Sequence, residues 1–384
     1  MNDIVLDYSD SKRRYLSMQK MQPFKRVNRD KIDYCPYGFI SYSQIRANSF
    51  QLLKVLELSH VIYNFPVQIL SLIWLRYLLL QCDENLNIPP EICRLWNLQT
   101  FIVKGLLQSA VITFPEEIWG LVQLRHLKPP RFYLPDWPSG SVDKVEFSNL
   151  QTISYLSPRC CTEEVILGIQ NVKELGFSGY GIDSNSIRDS GLLNNLLHLQ
   201  QLETLSFIYF YPHFSPSVKA FPTTLKKLKL KSTFLSWSYL DIIAELPNLE
   251  VLKLMYGACD GEEWRPTVMG FNRLKLLLIE RNDLKYWKST DDNFPVLERL
   301  VLRCCYYLDK IPIKFAEIHT LQLIELRNCP PKLGDSAARI QQEQEELGNN
   351  PVDVRISNPY KYIVFIRVTL CFSFAQVKSY TKVI

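Results

Sequence analysis

Leu53-Lys54-Val55-Leu56-Glu57-Leu58 reads L-x-x-L-x-L, and the same order of apolar and polar residues starts again at Leu75, Leu98, Leu124, Leu150, Val172, Leu202, Leu225, Leu249, Leu274, Leu297 and Leu321. The twelve starts lie 22 to 30 residues apart. The last two apolar residues of each hexad are two apart, so they point to one side of a short strand and the residues between them point to the other. A unit this small cannot bury its own apolar side; stacking it on the next unit buries that side in a continuous core. Twelve strands spaced by about 4.8 Å make a parallel sheet roughly 55 Å long. One such hexad means little in a leucine-rich chain, but twelve in phase specify a stacked-repeat solenoid.

Working outward from the hexads, a proline template fills the rest of several repeats. Phe65-Pro66-Val67-Gln68-Ile69-Leu70-Ser71-Leu72 is matched by Ile88-Pro89 to Leu95, Phe114-Pro115 to Leu121 and Ile311-Pro312 to Ile318. Each reads apolar-Pro-x-x-apolar-x-x-apolar and runs into the next strand start. Proline fixes its own φ near −65° and suits the first turn of a short helix. The apolar spacing of three then lines one side of that turn. Each repeat is therefore expected to run strand, turn, proline-started helical segment and back to strand.

The period of about 24 residues falls in the range of leucine-rich repeats. The predicted fold class is α/β: a leucine-rich-repeat solenoid, or horseshoe, of about twelve repeats, with a parallel concave sheet and short helical or irregular convex segments. With its proline template, and with Leu302-Arg303-Cys304-Cys305-Tyr306-Tyr307-Leu308-Asp309-Lys310-Ile311-Pro312 and Leu326-Arg327-Asn328-Cys329-Pro330, the chain resembles plant nucleotide-binding leucine-rich-repeat disease-resistance proteins. Within that family it is similar to the coiled-coil, late-blight-resistance type of the Solanaceae. Pro331 to Ile340, Gln341 to Leu347 and Val354-Arg355-Ile356 resemble the usual C-terminal end of those proteins. The resemblance implies a non-catalytic protein-binding and autoregulatory domain in plant defence. Its partners would be a pathogen effector or a guarded host protein, and the nucleotide-binding domain of the same or a related receptor.

The departures limit what the resemblance carries. No G-x-x-x-x-G-K-[ST] phosphate loop occurs in the 384 residues, so neither ATP binding nor a switch cycle is assigned to them. The expected divisions are an N-terminal junction at 1–48, the solenoid at 49–334, a capping helix and strand at 335–357 and an unmatched tail at 358–384. Arg13-Arg14-Tyr15-Leu16-Ser17 is a candidate irregular first strand.

Positions two, four and six after each start should face the concave side. On the first repeats this column set gives Tyr77, Leu79 and Lys104. Further along it gives Lys227, Lys229, Lys231 and Lys253, then Arg299, Arg303 and Arg327, relieved by Glu280 and Glu325. Two readings attach to this basic stripe: a docking face for an acidic partner, and ordinary charge that keeps an exposed strand soluble. A formal charge of +5 does not point to nucleic acid, which wants a concentrated basic face with interleaved aromatics. Phe207, Tyr209, Phe210, Tyr211, His213 and Phe214 form an aromatic cluster that suits either an interface anchor or packing under a loop. Lys12, Arg13, Arg14, Lys20, Lys25, Arg26, Arg29 and Lys31 suit a solvated linker better than a targeting signal.

Catalytic and cofactor chemistry find no support in the sequence. G-x-S-x-G and H-E-x-x-H are both absent, and the five histidines are scattered. The ten cysteines lack C-x-x-C spacing and read as reduced, mostly buried thiols rather than disulfides or zinc ligands. Residues Met1 to Asp10 hold no apolar run and no stretch reaches a membrane-spanning length, so the expected location is the cytoplasm. Two other functions fit less well. A ubiquitin-ligase adaptor would need a helical module near the N-terminus, where Pro23, Pro36 and Gly38 interrupt any helix. A decoy or remnant lacking the switch would share these repeats.

Overall fold

A computed structural model of the chain describes residues 52–106, 110–136, 147–179, 192–210, 221–266 and 270–358. Thirteen strands lie side by side in chain order and run parallel. They are β1 (Val55–Ile62), β2 (Tyr77–Cys82), β3 (Thr100–Gly105), β4 (His126–Lys128), β5 (Thr152–Leu156), β6 (Glu174–Ser178) and β7 (Thr204–Ile208). They continue as β8 (Lys227–Lys231), β9 (Val251–Met255), β10 (Leu276–Glu280), β11 (Arg299–Arg303), β12 (Leu323–Arg327) and β13 (Asp353–Ser357). Twelve of them follow the twelve hexads, and β13 adds the strand expected at the C-terminal end. The inward leucines form one continuous core from Leu53 to Val352.

Register is locked at the first peptide of each strand. Arg76 N–H and Tyr77 N–H both donate to the Lys54 carbonyl, at 2.8 and 3.0 Å, and the same double donation repeats as far as Gln322 and Leu323 onto Glu298. At the far end of the sheet the ladder continues through Tyr209, Ser232, Tyr256, Arg281, Cys304 and Asn328, all with φ between 50° and 60°. Each of these donates its N–H to the next repeat, as Tyr256 does to the Glu280 carbonyl at 2.7 Å. A left-handed residue therefore closes each of these strands and turns the chain inward.

The three-residue apolar spacing proves to be the 3-10 period. Ile69 N–H donates to the Pro66 carbonyl, Leu72 to Ile69 and Leu75 to Leu72; Pro89 to Leu98, Pro115 to Leu124 and Pro312 to Leu321 form the same chain of bonds. The convex segments at the proline templates are thus 3-10 turns with three residues per turn, so every third side chain eclipses the last and faces the core. Short α-helices occur at Glu163–Gly168 and Tyr239–Ala244.

Two departures from the hexad arise at bulges. Counting from Leu150 puts Tyr155 inward, but Tyr155 has φ 59° and is exposed, and Leu156 takes the inward place opposite Phe177. On β1 the pairing slips between Glu57 and Val61, so Val61, not Ser59, lies beside Gln81. The capping helix runs Pro331–Glu346, starting inside the segment assigned to the solenoid, because Pro331 supplies a ready first turn. It buries Leu333, Ala337 and Ile340, and the Gln344 side chain accepts from Val352 N–H at 2.8 Å. The N-terminal basic run, the Arg13–Ser17 candidate strand and the tail from 359 lie outside the described residues.

The cysteines fill inward positions. The eight among the described residues are free thiols, and seven of them are buried, Cys93 being exposed. Burial pushes the Cys161 and Cys259 thiols well up from their ordinary range, which suppresses the reactive thiolate. Alkylation of the native chain with iodoacetamide at about pH 7.5 should therefore mark Cys93 and leave Cys161 and Cys259 unmodified. Peptide mass mapping checks this; labelling of Cys259 as fast as Cys93 would contradict the stacking.

Candidate protein-binding face

The outward columns of the sheet form the concave face. Tyr77, on β2, is half-buried, and its hydroxyl bonds to Glu57 on β1; burial and that carboxylate raise its pKa. Leu79 points outward by register but is only 6% exposed, covered by its neighbours, so it contributes little contact surface. Lys104, on β3, is exposed. These residues lie some six strands, or roughly 30 Å, from the lysines of β8, so the predicted set divides into two patches.

The second patch is compact. Lys227, Lys229 and Lys231 occupy alternate positions of β8, and Lys253 on β9 lies directly beside Lys229. Lys227 and Lys253 are exposed, while Lys229 and Lys231 are half-buried. Burial, then the charges of Lys231 and Lys253, lowers the Lys229 pKa, and Glu280 opposes them only as the smallest influence. The Lys231 ammonium stands 5.5 Å from the Tyr209 ring centre and 4.9 Å from that of Tyr256. Arg281 covers Tyr256 at 5.2 Å, and the Tyr256 hydroxyl bonds to Glu280.

The arginine end of the stripe is more nearly neutralised. Arg303 pairs with Glu325 at 3.2 Å, and on β13 Arg355 pairs with Asp353 at 2.7 Å. Arg299 and Arg327 are exposed on β11 and β12. Between the charges lie aliphatic side chains: Leu278, Val301 and Leu323 face outward yet are buried. The lysine and arginine ends are thus separated by β10, with Leu276 and Leu278 between them.

Beside the face, where each strand starts, runs a separate row of charges: Lys173, Glu203, Lys226, Glu250, Lys275 and Glu298. Lys226 pairs with Glu203 at 2.9 Å and Lys275 lies 3.8 Å from Glu298. Glu250 draws on Lys226 from the other side, and Lys173 on Glu203. The alternation of sign along six successive repeats is a structural ladder of its own.

The aromatic cluster resolves into two parts. Phe207 and Phe210 are fully buried, Phe207 stacking on Phe177 with ring centres 5.6 Å apart and meeting Phe221 edge-on, so these belong to the core. Tyr209 joins the lysine patch, whereas Tyr211, His213 and Phe214 lie outside the described residues. Sequence reasoning missed Tyr256 and Arg281, because the outward columns two, four and six after each start end one residue before the left-handed position they occupy. A count of seven from each start finds them. Among the described residues no group of three or more His, Cys, Asp or Glu side chains is placed to hold a metal ion, and no helix is long and apolar enough to cross a membrane.

Comparison with known proteins agrees with the repeat geometry. The family model described as leucine-rich repeat region matches residues 40–347. Late blight resistance protein homolog R1B-16 of Solanum demissum is 34% identical over 80% of this chain and 23% of its own length. Homolog R1B-12 of the same species is 30% identical over 91% of this chain and 25% of its own. The chain thus spans about a quarter of the length of these curated relatives. Among solved structures, that of the TLR13–ssRNA13 complex aligns over 72% of this chain and 46% of that one, at 18% identity and a TM-score of 0.41. From the stacked strands and a family match across most of its length, the chain belongs to the leucine-rich-repeat family, with late blight resistance protein homologs of Solanum demissum among its relatives.

Proposed function

We propose that the chain is the protein-binding and autoregulatory repeat domain of a plant immune receptor acting in the cytoplasm, where it senses a pathogen effector or a guarded host protein. The observation that carries this reading is the concave face itself. Thirteen parallel strands hold outward side chains that the core does not need, and several of them are charged or aromatic. Solenoids of this kind offer such extended surfaces to partners. The relatedness to resistance protein homologs supplies the defence setting. On this reading the solenoid from 49 is the sensing part, and the cap, expected at 335–357 and starting with the helix at Pro331, shields the last leucines from solvent. The nucleotide-binding switch is a separate module that the repeats contact and restrain.

Co-purification tests the reading. The chain should retain a coiled-coil and nucleotide-binding fragment of a related resistance protein at low salt and release most of it at about 0.5 M salt, since exposed charge pairs are screened there. Tyr77→Ala or Lys104→Glu should weaken retention if the first repeats take part. Failure to bind at either salt would overturn the regulatory half of the proposal.

A further inference from the structure

The lysines of β8 and β9 form a compact basic cluster on two adjacent strands. Among the described residues, Lys227, Lys229, Lys231 and Lys253 form no ion pair, although Lys226, the residue before them, pairs with Glu203 at 2.9 Å. Lysine kept only for solubility would find acids as readily here as it does one residue away. Instead Lys229 and Lys253 stand directly side by side on adjacent strands, an arrangement that costs stability because like charges face each other. On the flanks, β7 presents Thr204 and Ser206 and β10 presents Leu276 and Leu278, none of which can neutralise them. Two acids lie near enough to act on them, but Glu280 accepts from the Tyr256 hydroxyl and Glu203 pairs with Lys226, and neither forms an ion pair with these lysines. Lys231 is held between two tyrosine rings, so its charge is fixed in place before any partner arrives.

We infer that β8 and β9 form a docking site for an extended acidic segment of a partner protein, its alternate carboxylates set against Lys227, Lys229 and Lys231 and flanked by Lys253. The inference rests on the reading that the concave face binds protein. The spacing supports it: same-face residues of β8 recur every second residue, and an extended peptide presents alternate side chains at the same period of about 6.6 Å. A nucleic acid fits less well. Tyr256 already carries Lys231 and Arg281 against its ring and Tyr209 carries Lys231, which leaves less ring surface to stack on bases.

Fluorescence anisotropy on the full chain tests this with a labelled peptide of alternating aspartate and threonine, its asparagine counterpart, and a peptide of the same composition with the aspartates grouped at one end. The alternating peptide should bind at low salt and lose at least about tenfold in affinity at about 0.5 M salt. The asparagine peptide should bind at least about tenfold more weakly, and the grouped peptide should also be weaker. Lys229→Glu with Lys253→Glu should lower affinity by about tenfold or more, and Lys229→Gln with Lys253→Gln by less, while Lys314→Glu, in the convex 3-10 segment Ile313–Glu317, leaves it unchanged. The milder pair keeps the test valid should the reversals unfold the sheet. Equal binding by the Gln pair and the native chain, or equal binding of the grouped peptide, would overturn the assignment. So would tighter binding of a thymidine oligonucleotide with the same lysine dependence. If the peptide fails but the switch fragment still co-purifies and depends on Tyr77 or Lys104, only this assignment falls; if both fail, the protein-binding reading falls with it.

Discussion

Replacing Trp264 with alanine should cost about 3–5 kcal/mol of folding stability, the largest loss expected from any single substitution in the described chain. Trp264 is 1% exposed and stands between Trp237 and Trp287, with ring centres at 5.2 and 5.3 Å. Phe294 meets it edge-on at 5.7 Å. Truncation would leave a cavity shared by three successive repeats, and nearest-neighbour coupling in a solenoid concentrates the damage there. The expected observation is a lower denaturant midpoint, with amide exchange accelerating first around β9 to β11. Trp264→Phe should cost much less. It keeps a ring in the stack and removes the indole N–H, which is buried with no hydrogen-bond partner among the described residues. A loss below about 1 kcal/mol for the alanine variant would show that the stack is not the keystone of this region.

Asn282→Ala should cost about 3 kcal/mol through hydrogen bonds rather than volume. The Asn282 amide nitrogen donates to the Leu254 and Glu280 carbonyls at 3.1 and 3.0 Å, and its carbonyl oxygen accepts from Cys259 N–H at 3.1 Å. The residue is 3% exposed, so removal leaves the Cys259 N–H without that acceptor and takes one donor from each carbonyl, although the Glu280 carbonyl still accepts from Tyr256 N–H. The two following repeats solve the same problem with sulfur. Cys305 donates to the Ile279 and Arg303 carbonyls, and Cys329 to those of Leu302 and Arg327. Asn282→Cys should therefore recover part of the loss while leaving Cys259 N–H unserved. Equal stability of the alanine and cysteine variants, measured by chemical denaturation, would refute the equivalence.

The fold was legible because its signal is periodic. Leu225, Leu228 and Leu230 repeat in other repeats, and Pro66, Pro89, Pro115 and Pro312 mark the same turn each time. What escaped were events that break the period. The hexad cannot say that Tyr155 turns out and Leu156 turns in, since that depends on how β5 meets β6. Nor does spacing of three distinguish a 3-10 turn from a helical one; the hydrogen bonds decide it. On the face, Lys227, Lys229, Lys231 and Lys253 were readable as outward residues. Their lack of ion-paired carboxylates among the described residues was not, because pairing joins strands some 24 residues apart in sequence. Leu79 was read as contact surface for a similar reason: its cover comes from neighbouring repeats.

The alternating row from Lys173 to Glu298 bears on how such an array can change length. Its sign repeats every second unit, not every unit. Excision or duplication of a single repeat would bring two acids or two bases together at the seam, whereas gain or loss of two would restore the order. These pairs are exposed and screened by solvent, so this is a bias rather than a bar. Growth of this solenoid by pairs of repeats would keep its parity.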